Sequence, residues 1–184
     1  MKIIPGKLDG ILIIEPKVFG DNRGFFYESY NFRKLSEYGV ELNFVQDNHS
    51  RSVKNTLRGL HYQINPGQDK LVRASIGEVW DVVVDIRKNS PTFGQWESFL
   101  LSAENKKQIF VPKGFAHGFC VLSDYAEFQY KCSEYWSPPD ERGILWNDPD
   151  LKVPWPVEAP ILSAKDTQNT AFKDIELYFE YEQP

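Results

Sequence analysis

Short segments in which hydrophobic and polar positions alternate recur along most of the chain, and this period of two predicts β-strands. They are rich in β-branched and aromatic residues and are bounded by Gly, Pro, Asn or Asp. Besides Leu57–Gln63, the predicted strands lie within residues 10–16, 24–30, 44–50, 70–76, 78–87, 95–101, 107–112, 118–122 and 126–136. In residues 78–87, Asp81 and Asp85 share one face, and the other face carries Trp80, Val82, Val84 and Ile86.

The spacing of turn residues predicts how these strands are arranged. Turns recur about every 8–12 residues, which is typical of a sandwich or a barrel, and we favour an antiparallel jelly roll. Residues 75–78 predict a turn that would make 70–87 a hairpin. Only residues 31–39 look helical, with Asn31 as N-cap and Gly39 past the end. The Pro-rich stretch 138–160 predicts irregular structure wrapped around a single domain, residues 1–184.

The composition limits the classes of protein that fit this pattern. The chain has 184 residues, 41% hydrophobic and 15% aromatic, enough to fill one core. A net charge of −5 argues against a nucleic-acid-binding protein, and no apolar run approaches the roughly 18 residues of a membrane span. No signal peptide is legible. We expect Cys120 and Cys132 to be buried free thiols in a cytoplasmic protein, with a disulfide as the alternative.

Three basic residues, Arg58, His61 and Lys70, lie within strand-like sequence where packing alone would favour apolar side chains. Such groups need hydrogen-bond partners or a cavity, so the cluster predicts a pocket. Arg58 and His61 are three positions apart and would point to opposite faces of a regular strand. We therefore predict a β-bulge at Gly59 that brings both side chains into one cavity.

Polar residues of the strand at 44–50 divide between its two faces. Gln46 and Asn48 share one face, and Asp47 and His49 share the other. Gln46 and Asn48 can thus reach the interior as neutral hydrogen-bonding groups, although a polar solvent face explains this strand equally well.

Pro112, Gly114 and His117 follow the spacing P-x-G-x-x-H, which predicts a tight turn and then a histidine on the next strand. Metal-binding jelly rolls of the cupin type combine such a histidine with an upstream H-x-H, but residues 61–63 here are His-Tyr-Gln. Two histidines fall short of the usual three protein ligands of a catalytic metal. The sequence therefore predicts a site without a metal.

Tyr130 shares one face of its predicted strand with Phe128 and Cys132. A core aromatic with a satisfied hydroxyl is the simpler interpretation of this residue. A proton donor is the functional one, because a protein site can tune a tyrosine hydroxyl for that task.

Eight motifs follow one another along nearly the whole chain: DNRGFFYESY, FVQDNHSRS, LRGLHYQ, QDKLVR, VPKGFAHGF, YKCSEYW, DERGILWNDP and LSAKD. Together they resemble the dTDP-4-dehydrorhamnose 3,5-epimerases. The resemblance implies an all-β, cupin-type antiparallel jelly roll with few short helices. It also implies an isomerase that inverts C3 and C5 of dTDP-4-dehydro-6-deoxy-glucose through an enolate. The product would be dTDP-4-dehydro-L-rhamnose, in dTDP-L-rhamnose biosynthesis, and no cofactor would be needed.

The same resemblance assigns catalytic roles to four residues. His61 would be the base and Asp166 the carboxylate that orients it. Tyr130 would donate a proton on the far face of the sugar. Lys70 would stabilise the developing enolate oxygen.

Further positions match residues that contact the nucleotide-sugar substrate in this family. Phe25 and Trp136 would stack on the nucleobase of the substrate, although either side chain also suits a hydrophobic core. Asp47 would contribute only its backbone. A homodimer is implied, with Arg23 or Glu28 serving the neighbour's site. The implied binding residues are Arg23, Phe25, Glu28, Gln46, Asp47, Asn48, Arg58, His117, Trp136, Glu141 and Lys165.

Three rival functions fit parts of the same pattern. A related enzyme could invert only C3 or C5, or move the ketone, and Tyr135 is a position at which such relatives could differ. A non-catalytic sugar-binding cupin would not need His61, Lys70, Tyr130 and Asp166 together. A metal-dependent dioxygenase is the least favoured rival, since the H-x-H motif is absent.

Overall fold

The computed structural model describes residues 1–182, and these form two facing antiparallel β-sheets with few short helices. α1 spans Phe32–Ser36, and short 3-10 helices span Pro138–Asp140, Asp166–Gln168 and Phe172–Asp174. In chain order the strands are β1 (Lys2–Pro5), β2 (Leu12–Glu15), β3 (Val18–Asp21), β4 (Gly24–Tyr27), β5 (Gln46–Val53), β6 (Leu57–Gln63), β7 (Lys70–Ile76), β8 (Glu78–Asp85), β9 (Trp96–Ser102), β10 (Gln108–Val111), β11 (Phe115–Val121), β12 (Tyr125–Cys132) and β13 (Glu141–Gly143).

The strand order defines a jelly roll. One sheet has the order β1-β2-β10-β7-β12-β5, and the other has the order β13-β6-β11-β8-β9. From β5 onwards the chain passes back and forth between the sheets, with β8 and β9 as the one consecutive pair in the same sheet. β3 and β4 form a separate two-stranded hairpin. The predicted fold class, an all-β antiparallel jelly roll, is confirmed.

Hydrophobic residues form three buried clusters, and two of them cover opposite faces of β8, which explains its continuous burial from Asp81 to Asp85. Val83 packs between the sheets with Val72 of β7 and Ile109 of β10. Val82 and Val84 point to the other side of the sheet, where the segment after β12 covers them, with Trp155 among the contacts. The stretch 138–160 wraps the body as predicted, except that β13 within it pairs with β6.

The predicted hairpin over residues 70–87 is wrong. β7 and β8 belong to different sheets, so the turn between them carries the chain across the sandwich. Gly77 makes this crossing possible, because its φ is +70° and a Cβ there would lie 2.2 Å from the carbonyl oxygen of Tyr125. Sequence near a turn does not distinguish two strands that pair from two that face each other.

The one predicted helix is present. Asn31 caps α1 by accepting a hydrogen bond from the Lys34 amide, and Gly39 follows with a φ of +81°. The sequence prediction missed three short strands, β1, β3 and β13.

A β-bulge interrupts β6 at Gly59, as predicted. His61 pairs with His117 of β11, and Arg58 pairs with Phe119. Between these two pairs β6 has one more residue than β11, which is the signature of a bulge. Gly59 has a φ of +126°, and a Cβ on it would lie 2.6 Å from the Cα of Gly118. The bulge turns Arg58 and His61 into the same cavity.

Two further sequence expectations concern the cysteines and membrane-spanning segments. Cys120 and Cys132 are both buried and unpaired, as expected. Among residues 1–182, no helix has the length and apolar character needed to cross a membrane.

We expect Gly59→Ala to lower the free energy of unfolding by roughly 2–5 kcal/mol, because backbone strain and a clash with Gly118 add together. Gly39→Ala is the matched control: its φ is also positive, but nothing lies within 4 Å, so strain alone should cost about 1–2 kcal/mol. Urea denaturation of both variants measures the difference. Equal losses would show that the close approach of β6 and β11 is unimportant.

Candidate active site

A cavity opens between the two sheets and contains most of the residues that the sequence singled out. It has two compartments of about 450 and 280 Å³, and side chains at their boundary line both. The shared residues are His61, Lys70, Tyr130, Trp136 and Glu141. Because β6 and β12 lie in opposite sheets, His61 and Tyr130 reach this space from opposite walls.

His61 is held by a buried carboxylate. Its Nε2 lies 2.5 Å from Oδ1 of Asp166, whose side chain is 3% exposed. Ser163 Oγ donates to Asp166 Oδ2 at 2.8 Å and accepts from the Asp166 amide at 3.1 Å. Burial would raise the pKa of Asp166, but the hydrogen bonds from His61 and Ser163 outweigh it and hold this pKa below its ordinary value. With Nε2 bonded to a carboxylate, Nδ1 is the ring nitrogen left to accept a proton.

Tyr130 offers a neutral phenol on the opposite wall. Burial, with smaller contributions from Cys132 and Glu141, raises the pKa of Tyr130 to about 12. The hydroxyl therefore keeps its proton at neutral pH and can donate it. Tyr130 packs against the core cluster and also lines both compartments of the cavity, whereas the fully buried Phe128 borders only the larger one.

Lys70 brings its amino group into the cavity, where it is a cation in its protonated form. Burial lowers the pKa of Lys70 below its ordinary value, and nearby Cys132, Glu141 and Asp81 oppose that effect. Among residues 1–182, no carboxylate lies within ion-pairing distance of the Lys70 ammonium group. An uncompensated cation of this kind stabilises an oxyanion that forms beside it.

His117 and Asp81 form a second, fully enclosed imidazole–carboxylate pair. His117 Nε2 lies 2.9 and 3.0 Å from the two carboxylate oxygens of Asp81, and Asp81 is 0% exposed. Burial raises the pKa of Asp81, and the adjoining His117 and Lys70 oppose that rise. Sequence reasoning missed Asp81 as a site residue, and it also missed Ser163. The signal for Asp81 was an acidic residue in an otherwise apolar strand.

The mouth of the cavity carries a short polar chain. Trp136 Nε1 donates to Glu141 Oε2 at 3.1 Å, and the same oxygen lies 2.6 Å from Lys165 Nζ. Burial would raise the pKa of Glu141, but Lys165 and Trp136 outweigh it and lower this pKa. Trp136 is 57% exposed, so its indole has one free face at the entrance.

The remaining predicted binding residues separate into those inside the cavity and those outside it. Gln46, Asn48 and Arg58 line the cavity. Gln46 and Asn48 therefore face the interior and do not form a polar solvent face. Arg58 Nε donates to Ser52 Oγ at 3.0 Å. Asp47 points to the outer face of its sheet and pairs with Lys131, as strand parity predicts.

Three predicted binding residues lie away from the cavity of their own chain. Arg23 and Phe25 belong to the β3–β4 hairpin, where Arg23 pairs with Asp21. Glu28 follows this hairpin and pairs with Lys34 at 2.6 Å. Within one chain these residues cannot bind a ligand held between His61 and Tyr130.

The side chains of the cavity that could act as metal ligands are hydrogen-bonded to one another. His61 and His117 each bond a carboxylate, and within residues 1–182 no group of three or more His, Cys, Asp or Glu side chains is placed to hold a metal ion. A metal-free reaction stays a prediction.

The fold and the cavity together define a jelly-roll protein that carries an imidazole and a phenol on opposing walls of one cavity. The family model for dTDP-4-dehydrorhamnose 3,5-epimerase matches residues 5–174. The chain therefore belongs to the dTDP-4-dehydrorhamnose 3,5-epimerase family, as the sequence motifs predicted.

Individual relatives cover almost the entire chain. The dTDP-4-dehydrorhamnose 3,5-epimerase of Pseudomonas aeruginosa is 57% identical over 97% of this chain and 99% of its own. The crystal structure of a Legionella pneumophila dTDP-6-deoxy-D-glucose-3,5-epimerase in complex with dTDP-4-keto-L-rhamnose matches with a TM-score of 0.95 at 50% identity, covering 99% of each chain. A 3'-monoepimerase from Streptomyces bikiniensis, ChmJ, matches with a TM-score of 0.87 at 34% identity, covering 92% of this chain and 87% of its own.

We expect Asp81→Ala to destabilise the protein by about 3–5 kcal/mol, because it leaves a buried His117 without its partner. Asp81→Asn keeps a carbonyl oxygen for the imidazole and should lose less. The control is Glu180→Ala, which breaks an exposed pair with Lys88 and should cost less than about 1 kcal/mol. Urea denaturation compares the three variants, and losses of similar size for Asp81→Ala and Glu180→Ala would contradict a structural pair.

Proposed function

We propose that this protein epimerises C3 and C5 of dTDP-4-dehydro-6-deoxy-glucose to dTDP-4-dehydro-L-rhamnose, in dTDP-L-rhamnose biosynthesis. The observation that carries the proposal is the placement of the His61 imidazole and the Tyr130 phenol on opposing walls of one cavity. Inversion beside a ketone needs a proton removed from one face of the sugar and another delivered to the opposite face.

The first step removes a hydrogen from a carbon next to the ketone. His61 Nδ1 takes this proton, and the electron pair of the C–H bond passes into an enolate. The imidazolium that forms is stabilised by Asp166 at 2.5 Å, while Ser163 keeps that carboxylate ionised and oriented.

The second requirement is to stabilise the enolate oxygen. Lys70 is the cation that no carboxylate neutralises, and His117 lies on the same cavity wall as His61. We assign both residues to the substrate carbonyl oxygen: Lys70 because of its charge, and His117 because of its position. Asp81 holds the His117 ring in place.

The third step returns a proton to the other face. Tyr130 donates its phenolic proton to the enolate carbon. The His61 imidazolium then releases its proton to the solvent and the Tyr130 phenolate takes one up from it, which restores both groups. Repetition of the sequence at the second carbon beside the ketone gives the doubly inverted product without a metal or an organic cofactor.

The nucleotide-sugar substrate is held at the rim of the cavity. Arg58 and Lys165 supply positive charge for the diphosphate, and the exposed indole of Trp136 offers a face for stacking. Gln46 and Asn48 contribute neutral hydrogen-bonding groups, and Glu141 and the backbone at Asp47 complete the set.

A homodimer completes the site. The β3–β4 hairpin exposes Phe19, Phe25 and Phe26 by 53%, 63% and 72%, which is unfavourable in water unless another surface covers them. We propose that this hairpin crosses to a partner subunit and brings Arg23, Phe25 and Glu28 to the partner's cavity.

We also propose that residues 1–184 act as one domain in the cytoplasm. The continuous two-sheet core supports the first statement. The free thiols of Cys120 and Cys132 support a reducing compartment.

Incubation of the 4-keto substrate in D₂O, followed by NMR, tests the reaction directly. We expect deuterium at both carbons beside the ketone and a doubly inverted product. Label at one carbon only would identify a mono-epimerase of the ChmJ kind, and label at neither carbon would refute the proposal.

Two variants separate the roles of base and acid in the same experiment. His61→Ala should lose exchange at both carbons, with a rate lower by about 10²–10⁴. Tyr130→Phe should still exchange, because His61 can return a deuteron to the face from which it took the proton, but inversion should fail. Inversion at the wild-type rate in Tyr130→Phe would remove the phenol from the mechanism.

Light scattering after size-exclusion chromatography tests the dimer. We expect the wild type to have twice the mass of one chain and Phe26→Asp to shift toward the monomer, because a carboxylate would then be buried in the interface. Leu100→Asp is the control, since Leu100 is 47% exposed on β9, which belongs to a different sheet from the hairpin. A monomeric wild type would contradict the proposal.

A further inference from the structure

Segment Glu134–Ser137 forms the roof of the cavity mouth, and side chains rather than strand pairing hold its backbone. The pairing of β12 ends at Cys132, just before this segment begins. The segment then carries Tyr135 and Trp136, which are 69% and 57% exposed, past the entrance. An exposed loop without a ladder of backbone hydrogen bonds would ordinarily be free to move.

Three glutamines satisfy the backbone of this roof at four consecutive residues. Gln68 Nε2 donates to the carbonyl oxygen of Glu134 at 2.9 Å, and Gln63 Nε2 donates to that of Tyr135 at 3.1 Å. Two backbone amides donate in return, Trp136 N to Gln46 Oε1 at 2.9 Å and Ser137 N to Gln63 Oε1 at 2.8 Å.

Gln63 makes the most hydrogen bonds of the three glutamines. It is 4% exposed, and its amide also donates to the Pro66 carbonyl oxygen at 2.9 Å. Gln63 lies two residues after His61 on β6, so the strand that carries the base also holds the roof. The amide nitrogen of Gln46 donates one hydrogen to Asn48 Oδ1 at 3.0 Å, which leaves its second hydrogen for a ligand.

Glutamine is the residue type that suits this task. Its amide donates and accepts at once, which matches a backbone that presents both carbonyl and N–H groups. It adds no charge to a cavity whose chemistry depends on Lys70, His61 and Glu141. A glutamate could accept from the N–H groups but would face the carbonyl oxygens with a negative charge.

We propose that Gln46, Gln63 and Gln68 are positioning residues that hold segment Glu134–Ser137, so that the Trp136 indole closes the cavity over the bound sugar nucleotide. The proposal rests on the function proposed above, because it assigns Trp136 to that ligand. Trp136 lines both compartments, and its Nε1 is tied to Glu141, so a fixed backbone fixes the whole indole.

A double-mutant cycle tests this coupling. Gln63→Leu should raise KM for the 4-keto substrate about tenfold, or roughly 1.4 kcal/mol, with a smaller change in kcat. In a Trp136→Ala background the same substitution should have little further effect, because the side chain through which it acts is gone. Gln68→Leu, which removes one hydrogen bond from a half-buried residue, should give a smaller change in the same direction.

Calorimetric binding of dTDP-glucose, which has no ketone to react, repeats the cycle without turnover and separates this proposal from the proposed reaction. Gln95→Leu is the control: this glutamine is exposed near the start of β9, away from the roof, and neither KM nor Kd should change. Additive effects of Gln63→Leu and Trp136→Ala on both KM and Kd would overturn the proposal, as would unchanged values in Gln63→Leu and Gln68→Leu.

Discussion

The close approach of two glycines, Gly59 on β6 and Gly118 on β11, is the constraint on which the site depends. A Cβ on Gly59 would lie 2.6 Å from the Gly118 Cα, and a Cβ on Gly118 would lie 2.7 Å from the Arg58 carbonyl oxygen. Only a pair of residues without side chains lets the strands meet while one of them bulges. The bulge changes the parity of β6, so Arg58 and His61 serve one cavity. Without it, the Arg58 guanidinium and the His61 imidazole would lie on opposite sides of a sheet.

Much of this arrangement could be predicted from the sequence, because strand parity is a local property. The faces of Gln46, Asp47 and Asn48, the bulge at Gly59 and the fold class followed from the period of two and from glycine, and the structure confirms them. The hairpin at 70–87 failed, since a turn does not state whether its strands pair or face each other across a core. Hydrogen bonds between residues distant in sequence, such as the one between Asp81 and His117 (36 positions apart), could not be predicted from local patterns either.

The charges in the cavity follow one rule: each carboxylate is paired, while two cations are left over. Asp166 holds His61, Asp81 holds His117, and Glu141 holds Lys165. Within the described part of the chain, Lys70 and Arg58 have no ion-pair partner. Asp166 and Asp81 are bonded to imidazoles that are neutral when His61 acts as a base, so Lys70 and Arg58 offset these two charges and leave no surplus. Because neither cation is tied to a carboxylate within residues 1–182, both remain available to an anionic ligand.

The proposed catalytic groups and the roof are held in place by different interactions. This difference bears on how proteins with this fold can come to invert one carbon or two. His61, Lys70 and Tyr130 stand on paired strands whose register cannot slip without exposing the core. The roof at Glu134–Ser137 lies outside both sheets and is held by amide hydrogen bonds that a substitution can remove one at a time. A mono-epimerase shares this backbone, so inversion of one carbon or two cannot be a property of the sheets alone. The elements free to differ are those outside the sheets, such as the roof, which under the proposals above sets how the sugar ring lies against the proposed base and acid.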